Sequence, residues 1–426
     1  MGGVDLAALA RDPAIGTPTY VYDLDAIAAE ARALAAAFGG APHLVAYAVK
    51  ANSAGPILKT LLAEGCGADV VSGAELALAL ACGVPAEKIV YSGVAKLDDE
   101  LDRAIACGAR GVGAIQLESI EEIVRVERRA QAQGRVARVS ARMNPSVEEI
   151  DTHAHIATGH DDAKFGIPLD DAGAALAAIK AAPHVELVGF SSHVGSQFTS
   201  TASYVAAARA LFGVVRDARA EHGRSLTFVD TGGGFGIDYG AGCAVHPADF
   251  VRAARAEQSA YGLGDLALYV EPGRSLVAAH GVLLARVVQD KRALTHHRPG
   301  VDHAAAKPRT CRQWLMIDAG MNDLLRPALY QARHRIVPLE QRRGEPVAAW
   351  RVVGPVCESS DDFGEHELPS DPPRDVAILD AGAYGFTMAS RYNGRALPAE
   401  VFLRGGKVAQ QSPRAASDEW VRERLM

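Results

Sequence analysis

The sequence predicts a (β/α)8 barrel of the TIM type followed by an all-β domain, and three observations carry that expectation. Eight short apolar runs rich in β-branched residues alternate with Ala/Leu/Glu/Arg-rich segments of helical spacing. Each run ends in polar or glycine residues, as strands buried on both faces do where they leave a parallel sheet. Beyond residue 273 the pattern shifts to short alternating segments separated by glycine and proline. In order, the barrel strands are expected at 43–50, 68–73, 89–93, 111–119, 138–145, 187–195, 228–236 and 266–273. Helical spacing is clearest over 74–81 and 120–133. The β domain is read from 282–288, 314–317, 348–353 and 376–379, and a strand over 19–23 precedes the barrel and can join it. The expected division is 1–24 as an N-terminal segment joining the β domain, 25–280 as the barrel and 281–426 as the β domain.

At 426 residues the chain exceeds a barrel of about 250 residues, so a second unit is required. A net charge of -7 gives no reason to expect nucleic-acid binding. No apolar stretch reaches the roughly 20 residues that span a bilayer, so no membrane partner is expected. Asp5 and Asp12 do not fit the basic-then-apolar layout of a signal peptide. Six cysteines, Cys66, Cys82, Cys107, Cys243, Cys311 and Cys357, show no pairing spacing, which suits a reduced cytoplasmic protein. Residues 291–312, polar and rich in His, Pro and Ala, read as a loop insertion within the β domain.

Chemistry in a barrel of this type sits at the C-terminal ends of the strands. Lys50, Ser72, Glu118, Asn144, His193, Gly232 to Gly234 and Glu271 all fall there. A lysine at the end of a buried strand can form a Schiff base with a carbonyl cofactor, and burial would favour its free amine. Alternatively, it simply reaches solvent. The glycines after strand seven let backbone N–H groups converge on an anion, and the loops after strands seven and eight are where barrels commonly hold phosphate. A lysine opposite a phosphate cradle points to pyridoxal 5′-phosphate. Glu271 then suits the pyridine nitrogen, although pairing with Arg274 is an equal alternative. His193 suits the face of the cofactor ring or a satisfied core position.

Four motifs resemble the fold-type III pyridoxal-phosphate decarboxylases, whose barrel is of the alanine racemase type. They are Tyr47-Ala48-Val49-Lys50-Ala51-Asn52, His193-Val194-Gly195-Ser196-Gln197, Gly232-Gly233-Gly234-Phe235-Gly236 and Glu271-Pro272-Gly273-Arg274. Later segments are similar to the diaminopimelate decarboxylase family: Arg142-Met143-Asn144-Pro145 with Lys164-Phe165-Gly166, 322–330, 354–359 with Asp361, Gly382-Ala383-Tyr384 and Tyr392-Asn393. The resemblance runs in order from about Thr17 to Phe402. It departs at Ala74, where the family usually has glycine, and in the longer 291–312 insertion.

The resemblance implies that Lys50 carries the cofactor, that His193 stacks on its ring and that Glu271 meets its pyridine nitrogen. Ser196, Gly234 and the loop beginning at Glu271 would hold the phosphate, Gly232, Gly233, Gly273 and Arg274 would also bind the cofactor, and Tyr384 would touch the cofactor and the substrate. Arg274, Arg326, Tyr330 and Glu358 would clamp a small amino-acid substrate. Cys357 would reach in from the partner subunit as the proton donor, which makes the active form a homodimer with shared sites. The implied reaction removes CO2 from the D-centre of meso-diaminopimelate to give L-lysine, the last step of lysine biosynthesis. The distal end of that substrate carries both an ammonium and a carboxylate, which arginines and a glutamate can bind together. A buried arginine left unpaired would penalise substrates lacking the distal carboxylate.

Three other readings stay open. One is a decarboxylase for ornithine, arginine or a carrier-bound amino acid, against which Cys357-Glu358 and Arg326 count. A racemase would need a catalytic tyrosine where this chain has Cys357. A non-catalytic pyridoxal-phosphate-binding regulatory homologue should have lost Lys50 or Cys357. His153, His155 and His160 can be read as metal ligands, but the resemblance makes that stretch an active-site loop, and no metal is expected there or at His296, His297, His303 and Cys311. Cys66, Cys82 and Cys107 are expected as buried small hydrophobes, and Arg32 and the 121–129 run as solvated helix faces.

Overall fold

The structure is a computed structural model that describes residues 1–146, 164–222, 226–242, 245–292, 313–340, 343–414 and 417–426. It comprises two compact units: Ala26–Val277, and Met1–Asp25 together with Ala278–Met426. Helix Leu6–Arg11 and strand β1 (Thr19–Asp23) begin the second of these units. The helix starts at Asp5, whose carboxylate accepts from the N–H groups of Ala7 and Ala8.

The larger unit contains β2 (His43–Ala48), β3 (Gly67–Val70), β4 (Ile89–Tyr91), β5 (Ala114–Leu117) and β6 (Ala137–Asn144). A two-residue β7 (Ile167–Pro168) pairs beside β6, and β8 (Val185–Ser191), β9 (Phe228–Asp230) and β10 (Ala267–Val270) follow. Parallel pairing runs in the order β5-β4-β3-β2-β10-β9-β8-β6, and β5 pairs with β6 to close the barrel. Helices follow the strands, and two junctions are set by a serine and a glutamate. Ser72 and Ser119 cap helices Gly73–Ala81 and Ile120–Ala132, accepting from Glu75 and Glu122 N–H. Those glutamates reach back to the N–H groups of Val71 and Glu118, pinning the residues that directly follow β3 and β5.

Side chains alternate along a strand, so one apolar layer dictates what stands above it. Leu44, Ala46 and Val90 pack with Tyr269, and Ala114, Val188 and Phe228 pack with the same tyrosine. Phe228 and Tyr269 stack with centroids 4.2 Å apart. Two residues further along the same strands come Gln116, Asp230 and Glu271. The apolar layer therefore carries a buried polar layer on its C-terminal side.

The smaller unit adds β11 (Gly281–Arg292), β12 (Gln313–Ile317), β13 (Ile336–Pro338), β14 (Val347–Val353), β15 (Asp362–Pro369), β16 (Asp375–Ile378), β17 (Ala399–Arg404) and β18 (Lys407–Ser412). They form a mixed sheet in the order β15-β14-β12-β11-β1-β17-β18, with β16 between β11 and β13. β1 is antiparallel to β11, Thr19 facing Leu284, and parallel to β17, Thr19 facing Ala399. Leu9, Ile15, Val21, Leu284, Ala377, Val401 and Leu403 share a core on this sheet.

Several expectations need correction. Lys291 and Arg292 belong to β11 and not to a loop; 293–312 lies outside the described residues, with His296, His297, His303 and Cys311. The stretch holding His153, His155 and His160 lies outside them too, as does Cys243. Cys66 is buried, but Cys82 and Cys107 are only half-buried. Burial raises all three thiols, Cys66 to about 12. Glu122, expected on a solvated face, is buried and takes a hydrogen bond from the buried Lys96 at 2.9 Å. Arg125 and Arg129 do lie on the outer side, paired with Asp98 and Asp102. Among the described residues, no helix is long and apolar enough to cross a membrane.

Candidate active site

The site in the barrel is built from strand ends. β2 stops at Ala48, two residues short of the predicted strand end, and Lys50 stands in the turn Val49–Ala51 that follows. Ala48 N–H donates to Pro272 O at 3.1 Å and Tyr47 Oη donates to Asn52 O at 2.9 Å, fixing the turn from both sides. Lys50 is not the amine isolated by burial that the sequence suggested: its side chain is 37% exposed and its Nζ donates to Asp69 Oδ2 at 2.7 Å. Asp69, on β3, is fully buried.

Glu271 follows β10 and is buried. It does not pair with Arg274. Gln116 Nε2 donates to Glu271 Oε1 at 2.8 Å and contacts Asp230 Oδ2 at 3.4 Å, so one amide serves two carboxyl groups. Burial, then the charges of Asp230 and Asp69, push Glu271 well above the usual carboxylate range. Burial likewise pushes Asp230 up to about 7, against the Gly232 N–H that donates to it at 2.8 Å.

The glycine loop has no room for side chains. A Cβ at Gly233 would stand 2.0 Å from Glu271 O, and one at Gly234 would stand 2.3 Å from Gly195 O. Gly232 and Gly234 also hold φ of 71° and 90°. Backbone bonds from Glu271 N to Gly232 O and from Phe198 N to Gly234 O sew this loop to its neighbours. Gly273 closes on Ala51 and Ala48, bringing the last loop against the lysine turn. Arg274, also buried, donates to Ser196 Oγ at 3.2 Å and to Tyr239 Oη at 2.7 Å. A cation, a hydroxyl and a glycine loop thus share one end of the site, the donor set that an anion such as phosphate takes.

His193 follows β8. Gly233 N–H donates to its Nδ1 at 3.1 Å, so the neutral ring carries its proton on Nε2. Burial, Arg142 and Lys50 hold His193 well below the usual imidazole range, so the ring is neutral. Arg142, on β6, donates to Glu118 Oε1 at 2.7 Å and to His193 O at 3.2 Å. Glu118 Oε2 in turn accepts from Gly166 N–H at 2.8 Å.

The smaller unit holds the remaining candidates in clusters of its own. Arg326, at the start of helix Arg326–Tyr330, is buried and donates to His334 Nε2 at 3.1 Å, while His334 Nδ1 donates to Leu379 O. Tyr330 ends that helix and is half-buried. Tyr384 holds φ 55°, in a stretch where Gly385 closes on Tyr20 Oη. Cys357 and Glu358 are exposed on a loop anchored by Asp361, whose carboxylate accepts from Met321 N–H and Val356 N–H, both at 2.6 Å. Cys357 N–H donates to Asn393 Oδ1 at 3.0 Å, and Tyr392 Oη donates to Glu358 Oε1 at 2.5 Å.

Residues 24–278 match the family described as pyridoxal-dependent decarboxylase, pyridoxal binding domain. The chain belongs to that family, in its diaminopimelate decarboxylase branch. It is 40% identical to the diaminopimelate decarboxylase of Pseudomonas aeruginosa, over 95% of this chain and 91% of that one. The crystal structure of the Helicobacter pylori diaminopimelate decarboxylase complexed with L-lysine superposes with a TM-score of 0.85 at 34% identity. That match covers 96% of this chain and 97% of that one. The M. jannaschii diaminopimelate decarboxylase in co-complex with L-lysine gives 0.87 at 34% identity, covering 99% and 94%. The barrel fits the family's cofactor on its own geometry. An amine, a cradle that side chains would fill and a buried carboxyl group occupy successive strand ends.

Sequence reasoning missed Asp69, Gln116 and His334. Asp69 and Gln116 could have been found, because each interrupts an apolar run at a position of the inward-facing alternation. His334 lies in an irregular stretch and leaves no such mark.

Proposed function

We propose that this chain uses pyridoxal 5′-phosphate to decarboxylate meso-diaminopimelate, giving L-lysine and CO2. The observation that carries the reading is Lys50, held by Asp69, with the buried Glu271 at the adjacent strand end and the Gly232–Gly234 cradle at the next. Bound there, the cofactor supplies the carbonyl that takes an amine and the ring that accepts the electron pair left by CO2.

The protein's part is positioning and proton management. Lys50 Nζ is the amine that would hold the cofactor. Arg274, Ser196 and the N–H groups of Gly234 and Gly273 bind the phosphate, while the N–H groups of Gly232 and Gly233, taken by Asp230 and His193, hold the loop in shape. Glu271, oriented by Gln116, shares a proton with the ring nitrogen; the burial that raises it favours that sharing over a bare carboxylate. Neutral His193 packs on the ring without adding a competing positive charge. Arg326, Tyr330, Tyr384 and Glu358 bind the substrate, Arg274 lying where phosphate and substrate meet. Cys357 returns a proton to the α-carbon. Because Cys357 and Glu358 are exposed on their own unit, we place them at the site of a second copy, which makes the working form a homodimer.

The test is lysine and CO2 formation by the cofactor-reconstituted protein from meso-diaminopimelate, with ornithine, arginine and L-lysine in parallel and Lys50→Ala as the blank. Product from meso-diaminopimelate alone supports the reading. Turnover of another amino acid removes the substrate assignment, and silence on all four removes the enzyme.

A further inference from the structure

Side chains of the last helix, Ser417–Leu425, converge on a short turn of the same unit, Tyr392–Gly394. Arg391, just before the turn, donates through Nη1 to Glu423 Oε2 at 2.6 Å and through Nη2 to Glu419 Oε2 at 3.4 Å. Those glutamates are four residues apart and share one helix face. Between them Trp420 lies against Gly394, where a Cβ would stand 3.2 Å from the indole ring. Gly394 also holds φ 69°, a backbone conformation that favours glycine, and the ring leaves a side chain little room there. The Arg424 guanidinium lies 5.9 Å from the centroid of the same ring.

The turn binds the exposed loop as well. Tyr392 Oη donates to Glu358 Oε1, and Asn393 Oδ1 accepts from Cys357 N–H. Two consecutive residues of the turn therefore hold two consecutive residues of the loop. Asp361 anchors the base of that loop through Val356 and Met321, whereas 357–360 are all exposed. The loop tip is thus held by the turn as well as by its own bonds, Glu358 N–H to Val356 O at 2.8 Å and Asp361 N–H to Glu358 O at 3.2 Å.

We infer that helix Ser417–Leu425 is a brace that sets the position of Cys357 and Glu358 through the turn Tyr392–Gly394, with Trp420 and Arg391 as positioning residues. The inference rests on the roles given to Cys357 and Glu358 under Proposed function. Ion pairs as exposed as those of Arg391 contribute little, so the Trp420 ring on Gly394 carries most of the docking. A helix this short is marginal in water alone, so docking and helix formation stand or fall together.

The experiment compares full-length holoenzyme with Trp420→Ala, Trp420→Phe and Arg391→Gln by amide hydrogen exchange and steady-state kinetics on meso-diaminopimelate. In Trp420→Ala, exchange across 354–361 should rise about tenfold, with exchange over 43–52 and the cofactor absorbance unchanged. kcat/KM should fall about tenfold, and Trp420→Phe should restore both readouts. Arg391→Gln should give the same pattern at smaller amplitude. Faster exchange confined to 417–425, with the loop and kcat/KM unmoved, overturns the brace. Cys357→Ala and Glu358→Gln are measured alongside. If both retain full kcat/KM while the loop still loosens in Trp420→Ala, the brace stands and the loop's part in the reaction falls.

Discussion

Lys50 Nζ lies 2.7 Å from Asp69 Oδ2, and the two residues differ sharply in exposure: the lysine side chain is 37% exposed and the aspartate is fully buried. The ion pair is thus a tether with one end fixed in the barrel and the other at its mouth. Replacing Asp69 by Asn removes the buried charge and leaves a cation that can reach water, so the fold should tolerate it. The cost should fall on where the amine stands. We expect Asp69→Asn to weaken pyridoxal phosphate binding about tenfold, read by absorbance titration of the apo protein. An unchanged affinity would mean that the Val49–Ala51 turn alone positions the lysine.

Gly233 gives the sharpest steric prediction. Its missing Cβ would stand 2.0 Å from Glu271 O, a backbone atom that cannot rotate away. Gly233→Ala must therefore displace the loop that carries Glu271, at a cost of about 2 kcal/mol or more. Thermal unfolding and cofactor retention should fail together. A variant that keeps both would show that the cradle is softer than its contacts imply.

Glu400 predicts a pH dependence outside the catalytic residues. Burial raises this carboxyl to about 7, although Tyr22 Oη donates to it at 3.1 Å. Below an unfolded value near 4.5 both states are protonated and the raised pKa costs nothing. As pH climbs toward 7 the unfolded chain ionises first, so stability is lost, and above 7 the loss is complete. Glu400→Gln should remove that loss, on the order of 3 kcal/mol. Its melting temperature should exceed that of the parent at pH 8 and converge with it near pH 4. Parallel curves across that range would contradict the raised pKa.

Cys357 and Glu358 should separate kinetically. Cys357→Ala is expected to lower kcat by about 100-fold while leaving the cofactor spectrum intact, as loss of a positioned proton donor does. Glu358→Gln should chiefly raise KM and relax discrimination among amino acids, because it removes one charge-assisted hydrogen bond to substrate. Equal kcat values in Cys357→Ala and the parent would take the thiol out of the reaction.

The barrel was legible because its strands are largely buried on both faces and read as mainly apolar runs. The other sheet was legible only in part. β15 carries Glu365, His366 and Glu367, and every residue of β18 is exposed, so neither edge strand shows a buried alternation to detect. The site divides along similar lines. Lys50, His193 and Glu271 mark strand ends and stood out, whereas Asp69 and Gln116 sit inside apolar runs where one polar residue looks incidental. Their importance comes from neighbours on other strands, which linear spacing does not show. The expected burial of Lys50 failed for the same reason, since its partner arrives from β3.

β1 pairs with β11 on one side and β17 on the other, so partners of Thr19 lie at Leu284 and Ala399. On a ribosome, the strand emerges early and must wait. All of Ala26–Val277 is translated before either neighbour exists, giving that segment time to condense on its own. The β unit, by contrast, closes only once β17 has been made. Its slow contacts are the longest in sequence, and a chain stalled before residue 399 would expose β1 with one edge open.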